Sequence, residues 1–278
     1  METESIIQAT SSKFGAGVDC SELPEACIAS ILAWTSPRDA CRMSTVSPEF
    51  QRAAESDALW ETFLPADYQE IIGRSSESSA RLDFSSKKEL FFRLCNSPLL
   101  IDGGKKSFWL DKESGKKCYM IAARELTIKW SETPRHWTWI SLPHSRFTEV
   151  ANLNIVWWFF IKGKMNTCMS SPCTNYGACL IFQRKDRFYG FKANPIESSI
   201  GVTGGETTKK VIYLDPEHDI SPYPTRIDGW YEVELGEFFN EGRESVELAM
   251  SIMEVPHPSR LKSGLLIEGI EIRPKFCS

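Results

Sequence analysis

Apolar positions in the first quarter of the chain recur at helical spacing. Ile28, Ile31 and Leu32 fall where one helix face would lie, Pro37 closes that segment, and further helical turns are expected over 39–46 and 48–63. The stretch 73–81 holds four Ser and little apolar content, which reads as a flexible connection. Beyond it, Ser86-Lys87-Lys88-Glu89 has capping-box spacing ahead of Leu90, Phe91 and Leu94, so a short helix is expected to bridge to the next unit and pack on its sheet.

After Pro98 the helical period largely disappears. Strands are expected at 108–110 and 118–121, paired as a hairpin across the polar turn 111–117, and then at 126–130, 155–161, 178–183, 211–214, 230–235, 246–253 and 265–272. In the last of these, Leu265, Ile267, Ile270 and Ile272 can share one face only if the strand breaks near Gly269. Many strands separated by Pro- and Gly-containing loops, without long helices between them, imply an antiparallel sandwich. The expected organisation is a flexible 1–22, a small all-α unit at 23–68, a linker with a short helix at 69–98, and an all-β antiparallel, jelly-roll-like sandwich at 99–278.

Composition narrows the function classes. The 278 residues are 42% hydrophobic and 25% charged, ordinary for a globular protein, and the net charge of -5 speaks against nucleic acid as a partner. The longest apolar run, 155–161, is far shorter than a membrane span, and the polar first 20 residues do not read as a signal peptide, so no membrane partner and a cytoplasmic or nuclear location are expected. Nine Cys without a regular framework, and no Asn-x-Ser/Thr site, suit a reducing compartment without structural disulfides.

Leu23-Pro24-Glu25, followed in order by Ile28, Ile31, Leu32, Pro37, Asp39, Val46-Ser47, Phe50 and Leu59-Trp60, resembles an F-box. A unit this short buries too little apolar surface to be secure alone, and its residual apolar face wants a partner. The resemblance implies that the partner is a Skp-type adaptor and, through it, a cullin ligase. Leu23, Pro24, Ile28, Ile31 and Leu32 are the expected adaptor anchors, with Leu59 and Trp60 bracing the fold. The alternative is that these apolar residues only form a small helical core. Ala40 stands where F-boxes often carry Leu, and Ala26 is also small, which points to weaker adaptor binding.

The region 99–274 resembles the phloem protein 2 family and its Nictaba-type lectins. The resemblance rests on Ile121-Ala122-Ala123-Arg124-Glu125-Leu126, on Trp130, Trp137 and Trp139, on Asp228-Gly229-Trp230, on Leu235-Gly236-Glu237-Phe238-Phe239 and on the end from Lys262 to Pro274. It implies non-catalytic binding of N-acetylglucosamine-containing glycans by two Trp and two acidic residues, which by motif are Trp130, Trp137, Glu247 and Glu254. Sugar C–H faces pack on aromatic rings and carboxylates accept hydrogen bonds from hydroxyl and acetamido groups. Read without the family, the two Trp suit a core and the two Glu a solvated surface, and their odd interval puts them on opposite faces of an unbroken strand.

No catalytic residues, cofactor or metal are expected. The four His are dispersed, Cys168, Cys173 and Cys179 lack the paired spacing of a zinc site, and the 203–210 segment lacks the Gly-Lys-Ser/Thr ending of a phosphate loop. Paired carboxylates alone do not make a glycosidase. The expected function is therefore a substrate-recognition subunit of a Skp–cullin–F-box ubiquitin ligase acting on glycan-bearing targets. The alternatives are a lectin or sugar sensor acting without a ligase, and a receptor for non-glycosylated proteins.

Overall fold

A computed structural model describes residues 23–75, 84–192, 194–215, 226–242, 245–255 and 260–275. The expected flexible N-terminus, 1–22, and most of the Ser-rich connection lie outside these described residues.

Six helices come first: α1 (Glu25–Leu32), α2 (Pro37–Met43), α3 (Pro48–Glu55), α4 (Asp57–Phe63), α5 (Tyr68–Gly73) and α6 (Lys87–Asn96). Pro37 and Pro48 each open a helix, where a missing N–H costs nothing, and the hydroxyls of Ser36 and Ser47 just before them accept from the N–H of Asp39 and Phe50. Pro37 thus starts α2, while α1 stops five residues earlier, at Leu32. At α6 the Ser86 hydroxyl accepts from the Glu89 N–H at 3.1 Å, but the Glu89 carboxylate receives Ser85 N–H and O–H instead of Ser86 N–H, so the capping box is displaced by one residue. The helical core is made by Ile28, Leu32, Leu59, Trp60 and Ile71, each at most 1% exposed. Ala40, Ala53 and Ala54, all fully buried, let the helices approach closely, and the Trp60 indole donates to the Ala54 carbonyl at 2.7 Å.

The strands are β1 (Leu99–Ile101), β2 (Lys106–Leu110), β3 (Lys117–Ala122), β4 (Thr127–Ile128), β5 (Trp137–Ile140), β6 (Val150–Leu153), β7 (Phe160–Asn166), β8 (Thr174–Tyr189), β9 (Ile196–Val202), β10 (Thr207–Ile212), β11 (Tyr231–Asn240), β12 (Glu247–Glu254) and β13 (Ser263–Pro274). All pairings between them are antiparallel. One sheet runs β1-β2-β3-β13-β6-β5, extended by β8 and β11 along the other side of β13; the second runs β10-β9-β12-β7-β4. The sheets pack face to face. A Cβ on Gly163 of β7 would lie 3.0 Å from Ile270 of β13, and one on Gly236 of β11 would lie 2.5 Å from Ile200 of β9.

The strand β13 keeps Leu265, Ile267, Ile270 and Ile272 in the core because its pairing with β8 slips between Ile267 and Gly269. Glycine is required at the slip, since a Cβ on Gly269 would lie 2.0 Å from the Ile121 carbonyl oxygen. The outer face of the large sheet carries a second apolar cluster under Trp230 and an ionic network. In it Glu271, 2% exposed, accepts from Arg226 and Arg273 at 3.0 and 3.1 Å. Burial penalises the Glu232 carboxylate, but its ion pairs with Arg273 and Arg226 prevail and hold its pKa below the ordinary glutamate range.

Helices and sandwich share one apolar core. Leu90, Phe91 and Leu94 of α6 are fully buried between α4 and β2, and the Phe91 ring lies 5.2 Å from Trp60. The α6 that opens as expected at Ser86 is therefore an inner wall common to both units. Three polar ties reinforce it: Arg74 forks onto both carboxylate oxygens of Asp102 at 2.9 Å, Ser75 bridges to Ile101, and Lys117 reaches Asp67 at 3.0 Å.

Candidate adaptor face and candidate glycan site

The two faces of α1 separate the expected adaptor anchors. Ile28 and Leu32 are 0% and 1% exposed and face the other helices, so they build the unit and leave nothing for a partner to cover. In the free chain these two expected adaptor anchors serve the unit's own core: residues four apart share a helix face, and here that face is the core. Leu23 is half-buried and Pro24 exposed at the helix entrance. Ile31 is 52% exposed, and Trp34, in the turn after α1, is 92% exposed. Trp34 escaped the sequence reading because it follows the periodic segment; its signal was a lone large aromatic in a short polar connection. Between α1 and α4 runs a groove of about 580 Å³ lined by Ala26, Ala29, Ala33, Trp34, Leu59 and Thr62 among others.

Three of the four residues expected to meet a glycan converge on the segment 157–159, while Glu247 lies at the far end of its strand: the Trp130 ring is 6.3 Å from Trp158, the Trp137 ring 6.4 Å from Phe159, and the Glu254 N–H donates to the Phe159 carbonyl at 3.0 Å. Trp130 sits after β4 in the left-handed region, φ 62°, and is 38% exposed. Its ring is 5.5 Å from His136 and 6.3 Å, edge to face, from Trp158, which stacks on Phe160 at 5.6 Å. Trp157, next in sequence to Trp158, is 61% exposed. The loop is held by His136 Nδ1 against the Ile155 carbonyl at 2.8 Å.

Trp137, by contrast, is 2% exposed, packs 6.4 Å from Phe159 and donates its indole N–H to the Lys129 carbonyl at 3.1 Å. Its burial removes it as a sugar platform; it anchors from below the loop that displays Trp130. Glu254 is 3% exposed and spends one carboxylate oxygen on Lys262 Nζ at 2.5 Å and Asn194 Nδ2 at 3.0 Å. Lys262, itself fully buried, also donates to the carbonyls of Arg260 and Trp157 at 2.8 and 3.4 Å. Glu254 therefore compensates an interior cation beneath the Trp157 turn and is not a surface acceptor. Glu247 is exposed but paired with Lys164 at 2.9 Å, and it begins the strand that Glu254 ends, roughly 23 Å away at a strand's rise per residue. What remains exposed for a ligand is Trp130, packed against Trp158, and Trp157 on the same 157–158 turn.

Burial governs the thiols. Cys95 and Cys179 are pushed up to about 12, and Cys118 is raised as well, chiefly by desolvation, which leaves them protonated and unreactive. The seven described cysteines are free. Among the described residues no three His, Cys, Asp or Glu group as a metal site, and no helix is long and apolar enough to cross a membrane.

Comparison with known proteins agrees with the two-part architecture. A family model described as Phloem protein 2 matches residues 116–274, and one described as F-box domain matches 20–62. Neither is a catalytic family. In Arabidopsis thaliana, F-box protein At2g02240 is 46% identical over 261 residues, 91% of this chain and 79% of that protein. F-box protein PP2-B10 is 46% identical, covering 90% of this chain and 92% of its own length, and F-box protein SKIP3 is 41% identical, covering 91% and 87%. This chain belongs to the phloem protein 2 family, in the group whose members carry an F-box before the β domain. Solved structures give only weak likeness: a family 35 carbohydrate binding module from Clostridium thermocellum matches at 10% identity and a TM-score of 0.30 over 56% of this chain and 96% of its own, too low to bear on function.

Proposed function

We propose that this protein is the target-selecting, non-catalytic subunit of a Skp–cullin–F-box ubiquitin ligase, working in the cytoplasm or nucleus. The outward edge of α1 docks a Skp-type adaptor, and the sandwich captures the target. Holding both at once raises the effective concentration of the target's lysines near the ubiquitin-bearing partner. The observation that carries this reading is the exposure of Ile31 and Trp34, with Val46 also exposed, on an F-box whose core residues Ile28, Leu32, Leu59 and Trp60 are buried. Large apolar side chains left in water beside a groove mark a contact surface. Co-purification with a Skp-type adaptor tests it: the wild-type chain should retain the adaptor and an Ile31→Ala, Trp34→Ala variant should lose it, whereas full retention by the variant would place the contact elsewhere.

The target is captured through the aromatic surface around Trp130 and Trp157, and glycans bearing N-acetylglucosamine are the ligand class that the family resemblance implies. Stacking of sugar rings on these indoles is the supporting chemistry. Glycan-array binding by the full chain, lost on Trp130→Ala with the fold intact, is the expected result. A second reading, capture of a non-glycosylated protein, is favoured by the burial of Trp137 and Glu254, which leaves the surface with aromatics and no converging carboxylates. Absence of array binding by a folded chain would favour that reading.

A further inference from the structure

The aromatic row beside Trp130 continues onto a sheet face. Trp158 lies 6.3 Å from Trp130 and stacks at 5.6 Å on Phe160, the first residue of β7. Alternation along β7 turns Ile161 and Gly163 into the core, so Phe160, Lys162 and Lys164 stand on the outer face of the five-stranded sheet. Beside them Ile128 of β4 is buried, which gives Thr127 and Lys129 the outer positions. Thr127 pairs with Lys162, and the Lys129 N–H donates to the Phe160 carbonyl at 3.1 Å. Lys129 and Lys162 therefore share one face with Phe160, and the Lys129 ammonium lies 5.8 Å from the centre of the Trp130 ring.

Neither of these ammoniums is spent on the protein. Farther along the same sheet Lys164 is paired with Glu247 and Lys209 with Glu197, each at 2.9 Å. Lys129 and Lys162 meet no carboxylate among the described residues. Arg135, exposed in the loop between Trp130 and Trp137, is also without one, and that loop holds a single acid, Glu132. A local excess of positive charge thus lies against aromatic rings on a chain whose net charge is -5. The face beside Lys162 is low. Ser251 of β12 sits opposite it, and the Ser251 hydroxyl meets that of Ser199 on β9 at 2.7 Å. A ligand lying on the aromatic row can continue over these short side chains.

Rings and unmatched ammoniums together define the ligand's chemistry. A sugar packs its C–H face on an aromatic ring, and a carboxylate on that sugar or its neighbour accepts charge-assisted hydrogen bonds from Lys. A neutral glycan would use the rings alone, and a cationic one would be repelled. We infer that the surface from Trp130 over Phe160 selects acidic oligosaccharides, carrying uronic acid beside N-acetylglucosamine, and that Lys129 and Lys162 set the preference for negative charge. This rests on the glycan reading of the Trp130 surface and adds to it the charge of the ligand and the direction in which it extends.

The test is calorimetric titration of the full chain with two tetrasaccharides that share N-acetylglucosamine and differ in charge. Chitotetraose is neutral, and hyaluronan tetrasaccharide alternates glucuronate with N-acetylglucosamine. The acidic one should bind about three- to tenfold more tightly at low salt. That advantage should shrink between about 50 and about 300 mM salt, because exposed charges are screened, while chitotetraose binding stays constant. A Lys129→Gln, Lys162→Gln variant should bind both tetrasaccharides equally, with chitotetraose affinity and melting temperature unchanged, and Trp130→Ala should lose both. Equal or weaker binding of the acidic tetrasaccharide, or an acidic preference that survives the double substitution, would overturn the inference and leave the glycan reading standing. Failure of a folded chain to bind either would overturn both. Tighter binding of single-stranded oligouridylate than of hyaluronan would assign the cations to phosphate and overturn the inference as well.

Discussion

Several single residues have roles opposite to what their chemistry suggests in isolation. Glu254 has the acidic side chain of a sugar acceptor, but its carboxylate answers a fully buried ammonium. Removing one partner of such a pair leaves an uncompensated interior charge, so Glu254→Gln is expected to lower stability by about 3–5 kcal/mol in chemical denaturation before any ligand is added. A variant of unchanged stability that had lost glycan binding would restore Glu254 as a contact residue. Gly269 is equally constrained: Gly269→Ala puts a methyl against the Ile121 carbonyl and should destabilise by more than about 2 kcal/mol, read as a lower denaturation midpoint. Asp102 responds to pH. Its hydrogen bonds from Arg74 outweigh burial and hold it at about 2, below the ordinary 3.8, so its folded pKa is depressed. The stability it contributes is present above pH 3.8 and is lost as pH falls through about 2. The acid unfolding curves of wild type and Asp102→Asn should therefore differ by about 1 kcal/mol at neutral pH, after discounting for its partly solvated side chain, and converge near pH 2.

At the scale of elements, caps and turns were legible because they are local. Ser86 announces α6, whereas Ser36 caps a helix that starts at Pro37, where the apolar pattern had one ending; Ser36→Ala should cost about 1 kcal/mol, measured by thermal unfolding, through the lost bond to the Asp39 N–H. The hairpin β2–β3 and the break in β13 could be read from alternation alone. Elements whose reason is long-range were not. The strand β9 carries Ser198 in the core, fully buried because its hydroxyl bonds the Leu235 and Lys210 carbonyls, and alternation of apolar residues could not foresee that. The apolar run 155–161 looked like a strand, but pairing with β12 begins only at Phe160, and Trp157 is left in water.

Over the whole molecule, the shared core predicts that F-box and sandwich unfold together. Far-ultraviolet dichroism, dominated by helix, and tryptophan fluorescence, dominated by the sandwich, should report one coincident transition, and Phe91→Ala should shift both by about 3–5 kcal/mol. Two separate transitions would mean that α6 does not couple the units.

Local pattern in the sequence determined the helix starts, the antiparallel β-rich class, the bulge at Gly269 and the two-part order of the chain, because capping, alternation and steric limits act over a few residues. Which face each residue turns to a partner was decided only by the tertiary structure. Ile28 and Ile31 share a helix, and Trp130 and Trp137 flank one short loop before β5, but in each pair one side chain is buried and the other exposed. That choice depends on what the remainder of the chain packs against each side.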